Sequence, residues 1–215
     1  MNKEEFVLEI EKLGINVKQE MIEKLELYYS ILIDWNKVMN LTRIINKEDA
    51  YLKHFYDCLT IVKVIDLNKK LYICDVGSGA GFPGIVLKIF FPQLRIVLID
   101  SLNKRVKFLN EVIKQLELND IMAIHSRMED FSKNNRNSFD IVTSRAVAKI
   151  PTLIDISIKS LKQDGLFVFY KANCENELYD SSEYINKMKC SLEKKESFIL
   201  PKEESVRTIV VIKKN

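Results

Sequence analysis

From Lys18 to Asn40, apolar side chains recur at steps of three and four: Met21, Ile22, Leu25, Tyr28, Tyr29, Leu32, Trp35 and Met39. This spacing puts them along one stripe and predicts a long amphipathic helix that must pack on something. A shorter amphipathic helix is expected before it, stopping at Gly14. Another is expected after it, opening at Asn46 as its cap, with Glu48 and Asp49 in the first turn where acids complement the helix dipole. Residues 1–70 therefore read as a helical cap of about three segments.

At Leu71 the period changes. LYICDV (71–76), RIVLID (95–100), IMAIHS (121–126), FDIVTS (139–144) and LFVFYK (166–171) are short strand-like runs with helix-length segments between them. Such alternation predicts βαβ units and a parallel sheet covered on both faces, a doubly wound α/β core. The tail departs from this rhythm, since SFIL (197–200) and VRTIVVIKK (206–214) flank the turn-forming PKEES. An antiparallel hairpin is expected to finish the sheet. No repeat or long linker interrupts the chain, so the cap (1–70) and the core (71–215) are expected to form one packed unit.

Composition narrows the class. A chain of 215 residues with 47% hydrophobic and 29% charged side chains can bury a real core without metal or disulfide staples. The cysteines at 58, 74, 174 and 190 form no C-x-x-C pair, so no metal site is expected. No stretch approaches the roughly 18 to 20 apolar residues of a membrane span, and MNKEEFVLEI lacks the apolar segment of a signal peptide, so a cytosolic protein is expected. A net charge of +3 is too small to mark a dedicated nucleic-acid coat.

The most informative segment is GSGAGFPG, Gly77 to Gly84, between a strand and a helix. Glycines allow positive φ and close ligand approach, and the helix beyond them points free amides at whatever binds. Two patterns overlap here: G-x-G-x-x-G at Gly79, Gly81 and Gly84 fits a dinucleotide, and G-x-G-x-G at Gly77, Gly79 and Gly81 fits a methyl donor. Asp100, at the end of the next strand, would serve the ribose hydroxyls of either. Asp75, two residues before Gly77, tips the reading toward S-adenosylmethionine, because a carboxylate repels a pyrophosphate and attracts an ammonium or sulfonium.

The segment DVGSGAGFPGIVL (75–87) resembles the first motif of the bacterial small-subunit ribosomal RNA guanine-N7 methyltransferases, the glucose-inhibited division protein B family. WNKVMNLT (35–42), HFYDCL (54–59), DSLNKRVKFL (100–109), SRMED (126–130) and SRA (144–146) resemble that family in the same order. The resemblance implies a Rossmann-like methyltransferase fold and methylation of N7 of a guanine in 16S ribosomal RNA, either free or in a small-subunit particle; a monomer is expected.

It also implies site residues. Gly77 and Phe82 would lie along the donor, with Gly79 and Gly81 in the same turn. Asp100 would take the ribose, Met128 and Glu129 would border the adenine, and Arg145 would belong to the donor site. A strand-end salt bridge is the competing role for Arg145, and Arg145→Ala is expected to impair transfer without unfolding the chain. N7 carries a lone pair and no proton, so no catalytic base is assigned. RNA contacts are expected from Arg43, His54, Arg127, Lys149, Lys171 and Arg207, and Trp35 is expected to anchor the cap. Two other readings remain open on residues alone: a nicotinamide-nucleotide oxidoreductase and a non-catalytic RNA-binding module.

Overall fold

The computed structural model describes residues 1–215. Helix α1 (Lys3–Lys12) opens with a capping box, in which the Asn2 side chain accepts from the Glu5 amide while Glu5 accepts from the Asn2 amide. It ends ahead of Gly14, which takes a φ of +81°. Helix α2 (Gln19–Met39) carries the expected stripe, with Ile22, Leu25, Tyr28 and Leu32 buried.

The third helical segment is capped by the Asn46 side chain, as its sequence predicts. It runs without a break from α3 (Lys47–Ala50) through a π turn (Tyr51–Tyr56) and α4 (Asp57–Leu59) to a 3-10 turn (Thr60–Lys63). The wider π turn is a local irregularity that periodicity does not reveal. It carries His54 and leads into Asp57 of α4, both of which line a cleft.

The core alternates as expected: β1 (Tyr72–Val76), α5 (Gly84–Phe90), β2 (Arg95–Asp100), α6 (Asn103–Gln115), β3 (Ile121–His125), α7 (Met128–Asn134), β4 (Phe139–Arg145), α8 (Ile150–Ser157), β5 (Leu161–Lys171), α9 (Glu175–Lys187), β6 (Cys190–Ile199) and β7 (Val206–Lys214). Seven strands lie in the order β3-β2-β1-β4-β5-β7-β6. The first five are parallel, and β7 is antiparallel to both β5 and β6.

Strand β6 is longer than the four-residue SFIL run predicts. Its middle, Glu193 to Glu196, is charged and, up to Lys195, exposed, so it lacks alternating apolar residues. Charge along an outer strand is what keeps such an edge from pairing with other chains, and here it hides the strand from pattern reading.

Successive residues of the central strands serve opposite faces. Ile73, Ile96 and Leu98 join a hydrophobic cluster with Phe6, Leu25, Tyr28, Phe55 and Leu59 of the helical segments, whereas Cys74, Val97 and Ile99 pack in a second cluster with Ile150, Leu153 and Ile185. The first cluster crosses residue 70 without interruption. Trp35 meets Phe108 of α6 edge-on at 5.7 Å, the anchoring role expected for it.

Candidate active site

The chain breaks from β1 into Gly77, Gly79 and Gly81, all at positive φ, and enters α5 at Gly84. Each glycine has its own reason. A Cβ at Gly79 would meet nothing closer than a backbone oxygen at 3.8 Å, so this part of the turn is open to a ligand. A Cβ at Gly81 would fall 2.8 Å from the Tyr28 hydroxyl and 2.6 Å from Ile85, so this glycine admits the cap helix. At Gly84 a Cβ would strike the Leu98 side chain, so this one lets α5 press on the sheet.

Two clefts open at the carboxyl ends of the strands and share Gly77 in their walls. The smaller, about 390 Å³, lies among Val76, Ile99, Ser101, Leu102, Ser126, Met128 and Glu129. Its floor is apolar and its rim polar. The larger, about 640 Å³, is walled by Thr42, His54, Asp57, Gly79, Phe82, Arg145, Tyr170, Lys171 and Arg207. The side chain of Val147 stands over Gly77, where the two meet, its Cγ2 2.6 Å from where a Cβ would sit.

Asp100 ties the turn to β2. Its Oδ2 accepts from the Gly79 amide at 2.9 Å and its Oδ1 from the Leu102 amide at 2.9 Å; the carboxylate is buried and lines neither cleft, although its neighbours Ile99 and Ser101 line the smaller one. Met128 is buried in that cleft and Glu129 is exposed at its rim. An open glycine backbone beside an apolar floor with polar edges fits an adenosine-type donor.

Asp75 differs from its expected place. It is fully buried and lines neither cleft; its Oδ2 accepts from the Gly84 amide at 3.0 Å, and its Oδ1 has no partner. Burial pushes its carboxyl up to about 7, against the pull of the Gly84 amide and the Arg145 charge. The attraction to a cationic donor inferred from the sequence is therefore not made by direct contact. Strand alternation turns this side chain under α5, where it holds the helix start. Gly81 likewise faces α2 instead of a cleft.

Arg145 makes the salt bridge weighed against its donor role. It donates to Asp57 Oδ2 at 2.9 Å, to the Lys53 carbonyl at 2.8 Å and to His54 Nδ1 at 3.0 Å, while its guanidinium lies 5.1 Å from the Phe82 ring centre. The His54 ring also stacks on Phe82. Burial and the Arg145 charge lower its pKa from 6.5 to about 3, so the ring is neutral. Nδ1 accepts from Arg145, which leaves Nε2 to donate to the Thr42 hydroxyl at 3.0 Å.

The basic candidates separate. His54, Lys171 and Arg207 line the larger cleft, Arg127 lines the smaller one, and Arg43 and Lys149 are exposed outside both. His54 is buried, and Lys171 is fastened to Glu177 at 2.8 Å and the Ala148 carbonyl at 2.7 Å. Neither is a free surface cation, because both sit where helix and strand ends converge. Asp57 was missed as a site residue. Its HFYDCL segment was in view, but only the fold brings it to Arg145, 88 positions away.

Residues 21–209 match the family model described as rRNA small subunit methyltransferase G. The chain belongs to that family. It is 44% identical to the proteins of that name from Bacillus pumilus (strain SAFR-032) and Bacillus subtilis (strain 168), over all of this chain and 91% of each relative. Among solved structures it resembles a SAM dependent methyltransferase from Aquifex aeolicus, with a TM-score of 0.61 at 14% identity over 82% of this chain and 97% of that one. A ribosomal protein L11 methylase from Lactobacillus delbrueckii subsp. bulgaricus gives 0.56 at 17% identity, over 79% and 80%. These likenesses bear on the fold alone, and it is that of S-adenosylmethionine-dependent methyltransferases. As a member of the rRNA small subunit methyltransferase G family the protein is an S-adenosylmethionine-dependent rRNA methyltransferase, and nothing supports the nicotinamide or non-catalytic readings. No helix is long and apolar enough to cross a membrane.

Proposed function

We propose that the protein, a cytosolic monomer, methylates N7 of a guanine in 16S ribosomal RNA. The observation that carries this reading is Gly77, common to a nucleoside-sized groove and to a larger cleft with four cations in its walls, so that donor and RNA base can meet across one residue. When bound, S-adenosylmethionine supplies an electrophilic methyl group on a sulfonium.

In this reading residues 71–215 bind the donor and residues 1–70 complete the RNA side. The backbone at Gly77, with Met128 and Glu129, holds the donor's nucleoside in the smaller cleft, while Gly79 borders it from the larger cleft and the buried Asp100 carboxylate fixes the turn through the Gly79 amide. Phe82 and Arg145 border it from the larger cleft, where Arg145 is fixed by Asp57 and His54. Arg207 supplies positive charge for a phosphodiester in the larger cleft, where Lys171 is held by Glu177, and Arg43, Arg127 and Lys149 add charge outside it. A base held in a folded RNA must be turned out to enter.

The guanine N7 lone pair forms the new N–C bond as the C–S bond breaks, and the electron pair stays on sulfur. No proton moves, so the residues contribute positioning and electrostatics. Tritiated donor with 16S RNA, free or in small-subunit particles, followed by mapping of the modified base, tests this. Label on N7 of one guanine is expected, and label on a pyrimidine would overturn it.

A further inference from the structure

The larger cleft is walled by Lys53, Arg145, Lys171 and Arg207, and by a single acid, Asp57. The two oxygens of that carboxylate are not equivalent. Oδ2 is held by Arg145 at 2.9 Å, whereas Oδ1 accepts no hydrogen bond, and its nearest cation is Arg207 Nε at 3.7 Å. Oδ1 is also not sealed in the core, since the one fully buried side-chain oxygen without a partner is on Asp75. The Asp57 side chain is 8% exposed, and it is exposed to the cleft it lines. A carboxylate in a cleft wall with one oxygen held by Arg145 and the other accepting no hydrogen bond is suited to a ligand that brings hydrogen-bond donors.

We propose that Asp57 reads the N1–H and 2-amino edge of the target guanine and thereby sets the base that is methylated. This rests on the guanine-N7 reading above. Guanine is the one standard base with a ring N–H beside an amino group. Adenine would set an unprotonated ring nitrogen against the carboxylate, leaving a buried acceptor facing an acceptor. N7 lies on the opposite edge of the purine, so recognition by Asp57 leaves its lone pair unobstructed.

The contact also favours the reaction. As the methyl group bonds to N7, positive charge enters the ring and the N1–H becomes a stronger donor. The bond to Asp57 therefore tightens in the transition state, which lowers the barrier as well as selecting the base. Asp57 removes no proton in this step; N7 gains the carbon, sulfur keeps the electron pair, and N1–H stays intact.

The test uses 16S RNA ligated to carry inosine, which lacks the 2-amino group, at the guanine mapped in the wild-type reaction. With the wild-type protein, inosine is expected to lower kcat/KM about 10- to 100-fold, the worth of a hydrogen bond to a charged group. With Asp57→Asn the guanine substrate is expected to lose kcat, and the further loss on inosine should shrink to about threefold or less, because the two changes remove the same contact. An equal inosine penalty in both proteins would overturn the proposal. So would a wild-type protein indifferent to inosine, a result that stands even if the variant does not fold. Failure of the underlying reading is distinguishable, because the wild-type protein would then put no methyl on the guanine-containing RNA.

Discussion

The His54 imidazole lies flat on the Phe82 ring, with centroids 4.3 Å apart and planes 19° from parallel. It joins the π turn of the helical segments to the glycine turn of the sheet. The stack is extended by Tyr28, 5.6 Å from Phe82, whose hydroxyl donates to the Ala80 carbonyl. A neutral buried imidazole and a buried carboxyl raised to about 7 beneath the same turn have measurable consequences.

His54 titrates near 3 in the folded chain and 6.5 in the reference state, so below pH 6.5 the unfolded chain binds the extra proton and stability falls as pH falls. Asp75 titrates near 7 when folded and 3.8 otherwise, so between those values the folded chain holds the extra proton and stability falls as pH rises. The two slopes oppose between about pH 4 and 6.5. Asp75→Asn should expose the loss on acidification, and His54→Gln the loss on raising pH, each approaching about 1.4 kcal/mol per pH unit. Urea unfolding at stepped pH reads both, and unchanged slopes in the variants would contradict the assignment.

The glycines should rank by what a methyl group meets. Gly81→Ala, at a φ of +96° and against Ile85 and the Tyr28 hydroxyl, and Gly84→Ala, against Leu98, should each cost about 1–3 kcal/mol or more. Gly79→Ala finds space and should cost about 1–2 kcal/mol from its left-handed backbone alone, while weakening donor binding. Thermal melts with and without S-adenosylmethionine separate the two effects. For the wild type, donor at 100 times its dissociation constant should add about 2.7 kcal/mol, and NADH nothing.

Tyr28→Phe keeps the ring packing and removes the donor to the buried Ala80 carbonyl. A loss of about 1–3 kcal/mol is expected from the unpaired acceptor, together with weaker donor binding as the glycine turn loosens. Calorimetric titration with the donor checks the second effect. Unchanged affinity would show that the cap does not brace the turn.

Arg145→Ala leaves the Asp57 carboxylate, the Lys53 carbonyl and His54 Nδ1 without their shared donor. Breaking such a largely buried pair costs about 3 kcal/mol, so the variant should be both less stable and slow in transfer. The sequence alone suggests loss of transfer without loss of stability, because the salt bridge depends on a partner far along the chain. Denaturant midpoints measured beside transfer rates decide between them.

Much of the architecture was open to reading because it depends on local pattern. Asn46 caps a helix with its own side chain, Gly14 ends one, and the β1 to β5 runs are apolar because both faces of the sheet are covered. The glycine turn was equally visible, since positive φ at Gly77, Gly79 and Gly81 is a demand met within a few residues. The π turn and the length of β6 were not, because neither has a repeating apolar signature.

What the amino-acid order determined by itself was the set of elements, the α/β class and the family, all carried by short-range spacing and contiguous motifs. The tertiary structure decided which side of each strand a polar group faces and which distant groups it meets. Asp75 turned inward under α5 to hold Gly84, and Asp57 came forward to meet Arg145 with one oxygen left free. Those outcomes follow from packing layers of helices on a twisted sheet, where alternation along β1 turns Asp75 away from the clefts and the packing of α4 brings Asp57 to the end of β4.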